Sequence, residues 1–185
     1  MRVISGKNKG TKLYTLEGLN TRPTLDRVKE SLFNIINFEI PGSIFLDLFA
    51  GSGSIGIEAA SRGAEKIIMC EKSKDAVNII KKNLEKTKLT NMVELYHDDF
   101  ENCIRKINTK LDIIYLDPPY KTDYVYKSIK LLLEKELIKK ETIIIIETDI
   151  EQNVESQLEE LAIKEFDKKK YGRAHLLFYK LKLDS

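Results

Sequence analysis

Two short stretches hold the residue types that could do chemistry. The first is Asp117-Pro118-Pro119-Tyr120. Two prolines in series fix the backbone and remove two N–H donors. The Asp117 carboxylate and the Pro118 carbonyl then form a stiff pair of acceptors. Such a pair suits an exocyclic base amine, whose lone pair is delocalised into the ring. Accepting both its N–H groups favours a pyramidal nitrogen and frees the lone pair for attack. Tyr120 can stack on the base and hold it in place. Asp117, Pro118, Pro119 and Tyr120 are therefore the candidate catalytic residues.

The second stretch is Asp47-Leu48-Phe49-Ala50-Gly51-Ser52-Gly53-Ser54-Ile55-Gly56. Gly51, Gly53 and Gly56 make a GxGxxG, and Glu71 follows Gly51 by 20 residues, where an acid can bind ribose hydroxyls. Dinucleotides and S-adenosylmethionine are both held by such a layout. Asp47 separates them: a carboxylate repels a pyrophosphate and attracts an ammonium or sulfonium. Asp98-Asp99-Phe100 supplies a third feature, a carboxylate that can accept from an adenine amine and a ring that can pack beside it. Strand alternation favours Asp99 over Asp98. The candidate cofactor residues are Asp47, Phe49, Gly51, Ser52, Gly53, Glu71, Asp99 and Phe100, and the cofactor is S-adenosylmethionine.

These motifs need strands that stop at one edge of a sheet. Apolar runs at 44–48, 66–71, 93–97, 111–116 and 142–147 predict five strands. Helical spacing predicts helices over 54–62, 73–88, 101–107, 124–134 and 151–161. Strands alternating with helices imply an α/β fold, a mostly parallel doubly wound sheet. Each candidate motif then directly follows a strand, at the carboxyl edge where such sheets bind ligands. Residues 162–169 and 174–181 predict a terminal hairpin that adds an antiparallel strand. Ahead of the body, residues 1–20 predict a short β-hairpin or extended arm. A helix, with Thr24 as its N-cap, is predicted to run to about Phe38. Pro41-Gly42 marks the seam between an N-terminal arm and helix, 1–40, and the body, 41–185.

The 185 residues suit one core, and 42% hydrophobic with 32% charged residues suits a globular chain. No apolar run approaches the ~20 residues that span a bilayer, and no secretory signal opens the chain. No membrane partner and a cytoplasmic location are expected. Cys70 and Cys103 form no CxxC and His97 and His175 no HExxH, so neither a disulfide nor a metal is expected. The net charge of +2 is unevenly spread. Residues 1–30 hold seven basic and three acidic residues, and 164–182 hold seven and two, which leaves the middle acidic. Basic ends on an acidic body fit a polyanionic partner. The expected RNA contacts are Lys7, Lys9, Lys12, Arg22, Arg27, Lys121 and Arg173.

Further residues give a family likeness: Arg2-Val3-Ile4-Ser5-Gly6 and Gly10, then Arg22-Pro23-Thr24, then Asp26-Arg27-Val28-Lys29-Glu30-Ser31-Leu32-Phe33-Asn34. With the glycine loop, Glu71-Lys72, the Asp-Pro-Pro-Tyr turn and Lys170-Tyr171-Gly172, they cover nearly the whole chain. The chain resembles the RsmD family of small-subunit (16S) ribosomal RNA (guanine-N2)-methyltransferases. The resemblance implies a class I, Rossmann-like methyltransferase fold and a rRNA guanine as substrate. It further implies presentation on a small-subunit assembly particle, with the enzyme acting as a monomer. An adenine-N6 methyltransferase uses the same turn and is the alternative. An NAD oxidoreductase would leave Asp47 and the turn unexplained.

Overall fold

The structure is a computed structural model that describes residues 1–16 and 23–182. After helix α1 (Pro23–Ile35) come β1 (Ile44–Asp47), α2 (Ser54–Ser61), β2 (Lys66–Glu71), α3 (Lys74–Thr87), β3 (Val93–His97) and α4 (Phe100–Lys106). Then follow β4 (Leu111–Leu116), α5 (Tyr124–Glu134), β5 (Ile138–Thr148), α6 (Glu151–Leu158), β6 (Ile163–Tyr171) and β7 (Ala174–Leu181). They form one seven-stranded sheet in the order β3-β2-β1-β4-β5-β7-β6. β7 is antiparallel to both of its neighbours, and the pairings among β1 to β5 are parallel. The strand order reverses between β1 and β4, which opens a crevice at their carboxyl ends. Asp47 and Asp117 leave the sheet there.

Several boundaries and one bond differ from the sequence reading: α1 ends at Ile35 and α6 at Leu158, each short of its expected end. α1 begins at Pro23, so position 24 lies inside its first turn; proline, with φ preset and no N–H to satisfy, is well suited to open a helix. β5 begins four residues early, because Ile138 pairs with Leu111 across a register shift. Cys70 in β2 and Cys103 in α4 are joined by a disulfide, with Cα atoms 6.2 Å apart. Their 33-residue separation in the chain gave no sign that the crossover through β3 returns α4 to the end of β2.

Strand alternation divides the core in two. One face carries Phe45, Ile67, Ile113 and Ile145 against Leu32, Phe33, Ile57 and Ile80 of α1, α2 and α3. The other carries Leu46, Ile68, Ile114 and Ile146 against Ile104, Ile129 and Val154 of α4, α5 and α6. α1 thus shares a core with the body. No helix among the described residues is long and apolar enough to cross a membrane.

The N-terminal arm folds back as a hairpin with a single antiparallel bridge, Arg2 to Lys12. It is latched to α2. A Cβ on Gly6, at φ +83°, would lie 1.9 Å from the Ser61 carbonyl oxygen, so only glycine permits this approach. Lys7 N–H donates to Ser61 O (2.9 Å), and Ser61 Oγ donates to Ser5 O (2.6 Å). The Glu58 carboxylate, fully buried in α2, accepts from Ile4 N–H (2.8 Å) and Ser5 N–H (3.0 Å). It also meets Arg62 Nε at 2.8 Å and Lys29 Nζ of α1 at 3.3 Å. Lys29 in turn donates to Arg2 O (2.6 Å) and Ser54 Oγ (3.0 Å). Farther along, Asn83 of α3 exchanges hydrogen bonds with Tyr14 N–H and O (2.7 and 3.0 Å) and donates to Ser52 O (3.0 Å). These contacts hold the arm, α1 and the glycine loop together.

Candidate active site

The carboxyl edge holds two adjoining cavities that share Phe49, Gly51 and Asp117. The first, about 250 Å³, is lined by Asp47, the loop from Phe49 to Ser52, Tyr115, Asp117 and Glu147, and is closed by Met1 and Thr15 of the arm and by Lys29. The second, about 450 Å³, is lined by Glu71, Asp98, Asp99, Phe100, the Asp117–Tyr120 turn and Tyr124. The structure thus brings together the candidates from four separate strand ends, those of β1 to β4.

Asp47 ends β1 fully buried, and its Oδ2 accepts from Gly56 N–H at 3.1 Å. Among the described residues its Oδ1 has no partner. Burial, with Glu71 adding to it and the Gly56 bond opposing it, pushes this carboxyl up to about 7. A buried acceptor left unpaired in a cavity wall calls for a cationic donor. Gly53, just before α2, takes φ +79°, a left-handed value open to glycine, and packs against Ile80 and Met69, while Gly51 (φ +56°) is the glycine that lines both cavities. Glu71 Oε2 accepts from Gly51 N–H and Oε1 from Ser73 N–H, both at 2.8 Å. It therefore braces the loop while its remaining lone pairs face the second cavity.

Asp98 and Asp99 divide the work at the end of β3. Asp98 is engaged by Lys106 (2.7 Å), by Asn102 and by Asp99 N–H. The Lys106 hydrogen bond, then those from Asn102 and Asp99, pull its carboxyl down to about 2. Asp99 caps α4, accepting from Asn102 N–H at 2.9 Å. Phe100 packs tilted against Phe49 (centroids 5.5 Å) and Tyr124 (4.8 Å), and Phe49 and Tyr124 stack nearly parallel (5°). Tyr124 went unseen in the sequence, where the first residue of an amphipathic helix carries no sign that it meets the third strand's end.

Asp117 opens onto both cavities. The residue is exposed to solvent, yet crowding by protein atoms, then the nearby carboxylates Glu147 and Asp47, raise its carboxyl pKa. Glu147, at the end of β5, was also missed. It is raised by burial, and the Tyr115 hydroxyl donates to its Oε2. Tyr120 is 61% exposed, a large aromatic face at the cavity mouth. Thr122 Oγ1 closes the turn by donating to Pro119 O at 2.9 Å.

The basic candidates are spread out. Lys121 follows Tyr120, and Arg27 follows Asp26, which lines the first cavity. Arg173 lies in the β6–β7 turn, tied to α1 through the Tyr171–Ser31 hydroxyl contact. Lys7 and Lys9 lie against the C-terminal end of α2, the end away from the cavities, and Lys12 is exposed on the arm. Arg22 lies outside the described residues.

Residues 1–180 match the family model described as conserved hypothetical protein 95. The chain is 38% identical over 183 residues to the Bacillus subtilis protein named "Putative rRNA methyltransferase YlbH", covering 97% of this chain and 98% of that one. It is 38% identical over 152 residues to "Ribosomal RNA small subunit methyltransferase D" of Haemophilus influenzae, covering 80% of this chain and 79% of that one. Among solved structures, "Putative methyltransferase yhhF" from Escherichia coli superposes with a TM-score of 0.84 at 26% identity, over 100% of this chain and 99% of that one.

Proposed function

Because this chain belongs to the family described as conserved hypothetical protein 95, the RsmD family its motifs resemble, we propose that it methylates the exocyclic N2 amine of one guanine in small-subunit ribosomal RNA, with S-adenosylmethionine as donor. The seven-stranded sheet is the class I methyltransferase architecture expected from the sequence. One observation carries the proposal: Asp117, the head of the stiff acceptor turn, stands where the two cavities meet.

The residues present fit the cofactor. The unpaired Asp47 Oδ1 suits an ammonium, and the three carboxylates Asp47, Asp117 and Glu147 around the first cavity suit a cationic ligand far better than a pyrophosphate. Glu71 would take ribose hydroxyls. Asp99 would take the adenine amine, and Phe100, with Phe49 and Tyr124, would pack the ring. Gly51, Ser52 and Gly53 would let backbone approach the methionine part. S-adenosylmethionine, when bound, supplies a methyl group on a positively charged sulfur. Asp117 and the Pro118 carbonyl accept the N–H groups of the target amine and turn its lone pair toward the cofactor side. Tyr120 stacks on the base once it has left its own stack. The extra amine proton departs after transfer, and Asp117 is placed to accept it. Arg27, Lys121, Arg173 and the arm lysines would hold phosphates of RNA in an assembling small subunit.

Incubation with small subunits from cells lacking this protein, followed by mass-spectrometric mapping, should find N2-methylguanosine at one position. Methyl groups on adenine N6 alone, or none, would refute the reading.

Asp47 adds a pH prediction. The ammonium needs the ionised carboxylate, and the carboxyl titrates at about 7. Cofactor affinity is therefore present above that pH and lost as pH falls through it. Calorimetric titration should show affinity falling about 10-fold per pH unit below the transition, the slope for one linked proton. Asp47→Asn should bind weakly with no such slope. A wild-type profile flat from pH 5.5 to 8 would reject the role of Asp47.

A further inference from the structure

Asp117 is not the sole acceptor facing the base. The β4–β5 register pairs Leu116 with Ile146, so Asp117 and Glu147 are the next residues on adjacent parallel strands. Both line the first cavity, and Glu147 also lines the shallow cleft beside Pro118, Pro119 and Tyr120. Among the described residues, no cation lies within ion-pair distance of either carboxylate. The Tyr115 hydroxyl is the one hydrogen-bond partner of the Glu147 side chain there, and it fixes Oε2. Two acceptors are thus held side by side with most of their capacity unused.

That arrangement matches one base edge. Guanine presents N1–H beside N2–H₂, a row of donors, whereas adenine presents a lone pair at N1 beside its amine. A carboxylate can accept from N1–H and the adjacent N2–H together, but it repels a lone pair. Resting on the reading above, we propose that Glu147 selects guanine: its carboxylate accepts N1–H and shares the neighbouring N2–H with Asp117, while the Pro118 carbonyl accepts the other N2–H. Glu147 is then a specificity residue that touches the substrate, and Tyr115 positions it. The raised carboxyls mean that the pair alone resists full ionisation. Burial lifts Glu147, and crowding by Glu147 contributes to the lift of Asp117. A ligand that brings N–H donors favours the ionised pair.

The test uses small-subunit RNA ligated to carry either guanosine or 2,6-diaminopurine riboside at the mapped position. Diaminopurine keeps the N2 amine and replaces N1–H by a lone pair. The wild-type enzyme should prefer guanosine by at least about 10-fold in kcat/KM, the worth of one charge-assisted hydrogen bond. Glu147→Gln can still accept from the amine, and its own NH₂ can donate to the diaminopurine N1. The preference should collapse to about one or reverse. If Glu147→Gln slows both substrates equally and keeps the preference, Glu147 serves the fold alone and the inference is overturned. If Glu147→Gln does not fold, Tyr115→Phe should narrow the preference, and an unchanged ratio overturns the inference. Wild-type enzyme that leaves guanine N2 unmethylated would sink the parent reading, and this inference with it.

Discussion

Asp117→Ala should lower the rate of methyl transfer by on the order of 10²–10³-fold, the range set by removing one preorganised hydrogen-bonding group from a transition state. The loss arises because the guanine amine is planar and a poor nucleophile until its N–H groups are drawn into a rigid acceptor frame. Pro118 and Pro119 keep their fixed backbone in the variant, so the Pro118 carbonyl still holds one side. The other side then faces an open cavity. Cofactor affinity should stay within about three-fold, since the buried contact for a cationic group is Asp47 and not Asp117. Asp117→Asn should fall between, because its amide keeps one acceptor oxygen and presents an NH₂ to the base. Single-turnover transfer to small-subunit RNA, read beside calorimetric titration of the cofactor, separates the two quantities. Near-normal turnover in Asp117→Ala would remove this carboxylate from the chemistry.

The parts legible in the sequence share one trait: each is local. The glycine loop, Glu71, Asp98-Asp99-Phe100 and the Asp-Pro-Pro-Tyr turn each end a strand or lie in the loop directly after one, and alternation of strands and helices carries them all to one edge. Glu147 was as local, at the end of β5, yet a lone glutamate after four isoleucines reads as the polar stop of a buried strand. Its meaning comes from the β4–β5 register, which a single chain's pattern does not specify. Tyr124 and the Cys70–Cys103 bond were hidden for the same reason, because each depends on which helix returns to which strand end. The basic residues were legible as charge but not as position: the latch at Gly6 carries Lys7 and Lys9 to the end of α2 away from the cavities. The N-terminal stretch that gives the family likeness most specifically has a structural use beyond phosphate contacts: Lys29 reaches Glu58.

That contact underlies the second large effect. Glu58→Ala should destabilise the protein by about 3–5 kcal/mol, the cost of breaking a buried ion pair from one side. For a chain of this size that lowers the melting temperature by roughly 6–20 °C. Four groups converge on the Glu58 carboxylate: the Ile4 and Ser5 amides, Arg62 Nε and Lys29 Nζ. Arg62 keeps its place over the Phe33 ring, 4.9 Å from the centroid, and a path to solvent. Lys29 has neither, being only 4% exposed. Burial already holds its pKa below the ordinary lysine value, and Glu58 is what opposes that shift. Without Glu58 the folded-state value drops further, while the unfolded value stays at about 10.4. Between the two, the unfolded chain binds more protons, so stability rises with pH there. The deficit of Glu58→Ala should therefore be fullest below the variant's folded Lys29 pKa and shrink as pH climbs to the wild-type folded value, above which the two proteins gain stability in parallel. A general packing defect would show no such narrowing. The arm also brings Met1 and Thr15 to the wall of the first cavity. Loosening it should weaken cofactor binding in folded Glu58→Ala, although no atom of Glu58 lines that cavity. Urea unfolding across pH 6–10, paired with cofactor titration, tests both. A shift under about 1 kcal/mol with unchanged affinity would mean the arm is held by its Ser61 and Asn83 contacts alone, and that the buried ion cluster contributes nothing to the site.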